Sequence, residues 1–263
     1  MRPSHRNAAK IWLGFDTIFL TAALVVSCFS LSSALISPPG MRGEGRLFLD
    51  TAVESEWESL LPLGIFHGVT TNPVLLERAG HACTVPAVQA LARRALSQTP
   101  EFMCQAWGET PQEMYSIGMA LSEPDRDRIV VKVPVTAGGT EAASKLVKSG
   151  VRVCLTACYA SHQALIAAGT GVEYLAPYLG RMIDSGKDGM HECRKMQEIV
   201  NGLGSDARIL VASIRDVESL EDLAMGGLDT FTFSPDVARA LFLEPLTDKA
   251  AADFEEAAKR GQS

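Results

Sequence analysis

Lys132 lies within the run Ile129-Val130-Val131-Lys132-Val133-Pro134-Val135-Thr136, an ammonium in a stretch otherwise suited to a buried strand. β-Branched residues on both sides favour a strand, and near-continuous apolarity is the pattern of a parallel strand covered on both faces. Lysine is rarely buried without a reason. One reading is a strand-end lysine snorkelling to solvent. The other is an amine whose charged form is opposed by desolvation, so that a lowered pKa frees it to attack a carbonyl. The polar residues at the ends of other apolar runs bear on the choice: Asp50, Thr71 and Asn72, Gln105, Thr156, Tyr178, Arg181, Ser213 and Arg215. Singly, each has a plain structural role. Asp50 and Ser213 suit helix N-caps, Asn72 before Pro73 suits a turn, Thr156 a loop cap, Gln105 a core amide and Tyr178 a packing aromatic. Together they form a polar rim. One amine and one acid among neutral hydrogen bonders suit Schiff-base chemistry, and arginines beside Ser213 suit capture of a phosphate.

Metal and charge-relay chemistry find no support. His5, His67, His81, His162 and His191 fall in the N-terminal segment, loops or helices. Cys28, Cys83, Cys104, Cys154, Cys158 and Cys193 form no C-x-x-C pair and read as reduced core thiols. No metal and no cofactor is expected.

The elements that must position the rim alternate regularly. Strand-like runs fall at 47–50, 68–71, 102–106, 129–133, 151–156, 174–176, 209–212 and 230–233. Helical patterns fall at 53–61, 85–96 (with Thr84 as N-cap), 111–121, 140–148, 161–168, 190–203, 217–225 and 235–241. Strict alternation implies parallel strands joined by right-handed crossovers, and eight units suit a closed (β/α)8 TIM barrel. Active sites in such barrels form at the C-terminal strand ends, where the polar residues fall. Neither G-x-G-x-x-G after the first strand nor G-x-x-x-x-G-K-[ST] occurs, so nucleotide-binding folds lack their fingerprints. The tail at 248–259 spaces Ala251, Phe254 and Ala258 along one face of an extra C-terminal helix, suited to the barrel or to a neighbouring subunit.

A net charge of −7 gives no basic footprint for nucleic acid. At the N-terminus, Arg2, Arg6 and Lys10 precede an uncharged apolar stretch from Thr17 to Ile36. That is the layout of a leader over residues 1–40, a signal peptide or an anchor just long enough to span a bilayer, with initiation at Met41 as the alternative. The folded domain is expected over 46–263, with membrane association only if the leader is retained.

Leu47-Phe48-Leu49-Asp50-Thr51, Gly68-Val69-Thr70-Thr71-Asn72-Pro73, Val131-Lys132-Val133-Pro134, Ala176-Pro177-Tyr178-Leu179-Gly180-Arg181 and Ala212-Ser213-Ile214-Arg215 resemble the transaldolase family, in its short, fructose-6-phosphate aldolase-like branch. The resemblance covers about residues 46–258 and implies a class I mechanism. Lys132 would form a Schiff base with C2 of fructose 6-phosphate, and Asp50 would handle protons at the reacting hydroxyl. Thr71 and Asn72 would meet the bound hydroxyls, and Arg181, Ser213 and Arg215 the phosphate. Gln105, Thr156 and Tyr178 would position water. Transaldolases usually carry glutamate at the Gln105 position and phenylalanine at the Tyr178 position, so these two resemble the aldolase branch. Arg215 resembles transaldolases, and Ile214 departs from the phenylalanine common in both. The expected activity is therefore an aldolase releasing dihydroxyacetone. Alternatives are a transaldolase passing the unit to erythrose 4-phosphate and, remotely, an inactive barrel retained for binding. Short-branch members tend to form homo-oligomeric rings. The family is mostly cytoplasmic, whereas the leader points to an organelle or the secretory route.

Overall fold

Eight apolar runs pair side by side, all parallel, until the last meets the first in a closed barrel. The computed structural model describes residues 45–261, so the expected leader lies outside the described residues. The strands are β1 (Arg46–Asp50), β2 (Gly68–Thr70), β3 (Glu101–Gln105), β4 (Ile129–Pro134), β5 (Arg152–Cys158), β6 (Tyr174–Pro177), β7 (Arg208–Ile214) and β8 (Thr230–Phe233). The helices between them are α1 (Glu54–Leu60), α2 (Pro73–Arg78), α3 (Val85–Leu96), α4 (Pro111–Ser122), α5 (Ala137–Lys148) and α6 (Gln163–Thr170). They continue with α7 (Leu179–Asp184), α8 (Gly189–Gly202), α9 (Val217–Met225), α10 (Pro235–Ala240) and α11 (Pro245–Gly261). This is the expected TIM barrel with its additional C-terminal helix.

Two helices depart from the expected pattern. α2 and α7, six residues each, occupy stretches that read as loops. Side-chain caps start several of the others. Thr110 and Glu113 form a reciprocal capping box on α4, Thr136 caps α5 and Asp216 caps α9. Thr84 occupies the N-cap position of α3, but its side chain makes no capping bond.

Strand pleating sorts the core into two layers. In β4, Ile129, Val131 and Val133 face the surrounding helices, whereas Val130 joins Phe48, Met103, Cys154, Tyr174, Ala176 and Leu210 inside the barrel. Below that inner layer, the N-terminal mouth is closed by a charged network. Arg152 donates to Glu101 Oε2 and to Glu173 Oε1, each at 2.5 Å, and Arg46 donates to Glu173 and the Tyr174 hydroxyl. Burial opposes the Arg152 guanidinium, but its bonds to Glu173 and Glu101 hold it charged and raise its pKa. His67 belongs to this lower end, 3.6 Å from Glu101. Polar closure below and apolar packing in the middle leave the upper rim for chemistry.

Candidate active site

Period-two alternation carries the inner layer upward to the rim. Two positions beyond Phe48, Met103, Val130, Cys154, Ala176 and Leu210 stand Asp50, Gln105, Lys132, Thr156, Tyr178 and Ala212. All six line a cavity of about 450 Å³, within the range typical of small-molecule sites. Asn72, Pro73, Val74, Leu75, Arg78, Ala157, Arg181 and Ser213 complete its wall.

Lys132 is 3% exposed and stands in register beside Gln105 on one side and Cys154 on the other. Its ammonium has no hydrogen-bond partner among the described residues. Burial opposes the charge, but the anionic forms of Tyr178, Asp50, Cys154 and Cys104 favour it, and the net direction is upward. Burial pushes the thiols of Cys104 and Cys154 up to about 12, which leaves Tyr178, the larger influence, and the carboxylate of Asp50 as the groups that oppose burial. The expectation of a lowered pKa is thus corrected: Lys132 rests as an ammonium and must lose a proton before it can attack. Since the Asp50 charge raises that pKa, Asp50→Asn removes an upward influence and leaves burial less opposed. The pH midpoint for borohydride trapping of a ketone on Lys132 is expected to move downward in this variant. An unchanged or higher midpoint removes Asp50 from this role.

Asp50 accepts a 2.6 Å hydrogen bond from Thr70, whose hydroxyl lies 2.5 Å from that of Thr232. This chain ties β1, β2 and β8 together at the rim. Asp50 is not a helix cap, because α1 begins after Val53. Ser213 is not one either, because Asp216 caps α9. Asn72 combines two roles: Oδ1 accepts from the amides of Val74 and Leu75, capping α2, while the side chain lines the cavity. Tyr178 is held from three sides. Its hydroxyl is 2.9 Å from Thr156 Oγ1, its ring meets Tyr159 edge-on, and the Arg181 guanidinium sits 5.2 Å from the ring centroid.

Two irregularities shape the right-hand wall. Ala157 (φ 58°) and Ser213 (φ 59°) adopt left-handed backbone, each where its strand shifts register. Such positions cost about 1–3 kcal/mol each and gather at functional sites. Gly180 lets α7 approach β7: a Cβ there would lie 2.5 Å from the carbonyl oxygen of Ser213. That close approach sets Arg181 over the cavity.

Eight of the ten residues expected at the site line the cavity: Asp50, Asn72, Gln105, Lys132, Thr156, Tyr178, Arg181 and Ser213. Thr71 and Arg215 do not. Alternation turns Thr70 inward and Thr71 outward, where its hydroxyl donates to the carbonyl of Met103 at 2.9 Å. Arg215 is drawn away by Asp184 on α7, which binds its guanidinium through both oxygens, Nη1 to Oδ1 at 2.7 Å. Thr70, buried beneath the rim, reaches the site only as a hydrogen-bond donor to Asp50. Arg78 on the cavity wall has a signal in the sequence: Asn72-Pro73 as an N-cap and first-turn proline marks α2, which ends at Arg78. The thiols of Cys104, Cys154, Cys158 and Cys193 are free and buried, whereas Cys83 is free and exposed. Among the described residues no cluster of His, Cys, Asp and Glu could hold a metal ion, and no helix is long and apolar enough to cross a membrane.

Known proteins resemble this chain in sequence and in fold. Residues 105–263 match the family model described as transaldolase/fructose-6-phosphate aldolase. A curated protein of Phenylobacterium zucineum, called a probable transaldolase, is 34% identical over 83% of this chain and 99% of its own length. A probable transaldolase of Leptospira biflexa is 31% identical over 82% of this chain and 98% of its own. Among solved structures, a putative copper homeostasis protein from Streptococcus agalactiae superposes with a TM-score of 0.55 at 11% identity. It covers 72% of this chain and 97% of that one, a likeness of fold alone.

Proposed function

The chain belongs to the transaldolase/fructose-6-phosphate aldolase family and is an enzyme of that family, and from this premise we propose that it is a class I aldolase that cleaves fructose 6-phosphate and releases dihydroxyacetone by hydrolysis. Deprotonated Lys132 adds to the C2 carbonyl, and loss of water gives an iminium ion. The C3–C4 bond then breaks as the C4 hydroxyl yields its proton to Asp50, with the electron pair passing into the iminium. Glyceraldehyde 3-phosphate departs and an enamine of dihydroxyacetone stays on Lys132. Protonation at C3 and attack of water at C2 release dihydroxyacetone and regenerate the amine. Arg181 and Ser213 hold the phosphate, and Asn72 meets a hydroxyl of the three-carbon unit. No cofactor is required, because the iminium is its own electron sink.

The observation that carries hydrolysis over transfer is the pair of hydroxyls on Thr156 and Tyr178, 2.9 Å apart at the cavity wall. Both can bind a water beside the Schiff base, and Gln105, in register with Lys132, adds a neutral amide. Incubation with fructose 6-phosphate alone tests the reading. Free dihydroxyacetone without any acceptor is the expected product; strict dependence on erythrose 4-phosphate makes the enzyme a transaldolase instead.

The exposed tail helix supports a homo-oligomer. α11 has no buried residue, and Leu246 and Phe254 on it are 76% and 73% exposed. An amphipathic helix with an uncovered apolar face finds its cover on another surface, here assigned to a neighbouring copy. The double variant Leu246→Glu, Phe254→Glu is expected to sediment as a smaller species than wild type. A wild-type protein that is already monomeric refutes the assignment.

A further inference from the structure

Arg78 has no part in the scheme above, yet its side chain lines the same cavity as Lys132. It stands at the end of α2, a helix fixed by the double cap of Asn72 and by burial of Leu76. Neither Arg78 nor Arg181, the two arginines of the cavity wall, has a carboxylate partner among the described residues. The contrast is with Arg94, Arg215 and Arg239, which pair with Glu54, Asp184 and Glu56. Guanidinium groups without a carboxylate partner, directed at a cavity, are ready receptors for phosphate.

The barrel gives the two arginines opposite places. Arg181 follows β6 and Arg78 follows β2, four strands apart around a closed ring of eight, with Lys132 on β4 midway between them. A ketose bonded through C2 to Lys132, with its C6 phosphate at Arg181, extends C1 towards the β2 side. We propose that Arg78 recognises an anionic group on C1, so that the enzyme also cleaves ketoses carrying a phosphate at each end; the proposal rests on the Schiff-base reading of the site. The step balances as before: C3–C4 breaks, the C4 proton goes to Asp50, and the electron pair enters the iminium. Glyceraldehyde 3-phosphate leaves, and water releases dihydroxyacetone phosphate in place of dihydroxyacetone.

Fructose 1,6-bisphosphate and fructose 6-phosphate, each assayed for cleavage and for borohydride trapping on Lys132, provide the test in wild type, Arg78→Ala and Arg78→Lys. Wild type is expected to cleave and trap both. In Arg78→Ala the ratio of kcat/KM for bisphosphate over monophosphate falls by about ten- to a hundredfold, the scale of one lost charge-assisted hydrogen bond. Arg78→Lys, which keeps a point charge, recovers part of that ratio. Trapping of the monophosphate by Arg78→Ala shows that the variant is folded. If wild type traps the monophosphate but neither traps nor cleaves the bisphosphate, the proposal is wrong while the Schiff-base reading stands. An equal loss on both substrates also overturns it, because Arg78 then acts only as a general attraction for phosphate. Failure of wild type to trap even the monophosphate defeats the Schiff-base reading and, with it, this proposal.

Discussion

Lys132→Met is expected to abolish turnover, lowering kcat by on the order of 10⁴-fold or more, as removal of a covalent nucleophile does elsewhere, and to lower stability modestly without unfolding the barrel. The two effects have separate causes. Lys132 is 3% exposed, and the charges around it favour the ammonium in spite of burial. Methionine matches its length and fills the space, but it withdraws the positive charge that faces Asp50, and removing one partner of such a pair is destabilising. Thermal unfolding and borohydride trapping read the two effects separately. A variant that still traps substrate as wild type does would falsify the assignment of Lys132 as the nucleophile.

The double variant Gln105→Glu, Tyr178→Phe should redirect the enamine. Tyr178→Phe removes the hydroxyl paired with Thr156 at 2.9 Å and leaves that threonine alone at the water position. The packing of the ring against Tyr159 and under Arg181 is kept, so the cavity retains its shape. Gln105→Glu puts a carboxylate in register with Lys132, where it favours the charged iminium over hydrolysis to free amine. Release of free dihydroxyacetone is expected to fall by about 10²-fold, the scale of one positioned proton-transfer or water-orienting group. Transfer to erythrose 4-phosphate should fall much less, so sedoheptulose 7-phosphate becomes the main product. Both products can be followed in one reaction by NMR. Hydrolysis at the wild-type rate would sink the role given to the hydroxyl pair.

Much of this architecture was legible because two periodicities were clean. Alternating apolar runs and amphipathic stretches specified the eight units, and alternation within each strand decided which side chains reach the rim. Strand parity read more strictly turns Thr70, not Thr71, inward. The failures have local causes. α2 and α7 carry no helical pattern of their own, so nothing in the spacing singles out Arg78 or pairs Asp184 with Arg215. That ion pair joins residues from different elements, and spacing along the chain does not reveal it. The protonation state of Lys132 is hidden from the sequence for a related reason. Burial was visible in its apolar neighbours, but the opposing carboxylate arrives from β1, 82 positions earlier in the numbering.

The pairing of β1 with β8, from Arg46 opposite Thr230 to Leu49 opposite Phe233, also sets a timetable for biosynthesis. The first strand of the barrel can find its second neighbour only after the last strand has left the ribosome. Until then Asp50 belongs to an open sheet, and the Thr70–Thr232 contact that links its hydrogen-bond partner to β8 has no second half. Sequential units can form early on local contacts, but ring closure joins the two most distant ends of the fold and is the slow, late step. Nascent chains stalled before residue 230 should therefore carry every element needed to bury Lys132 on its own side of the barrel and still lack an assembled site, so that activity appears abruptly with the final strand.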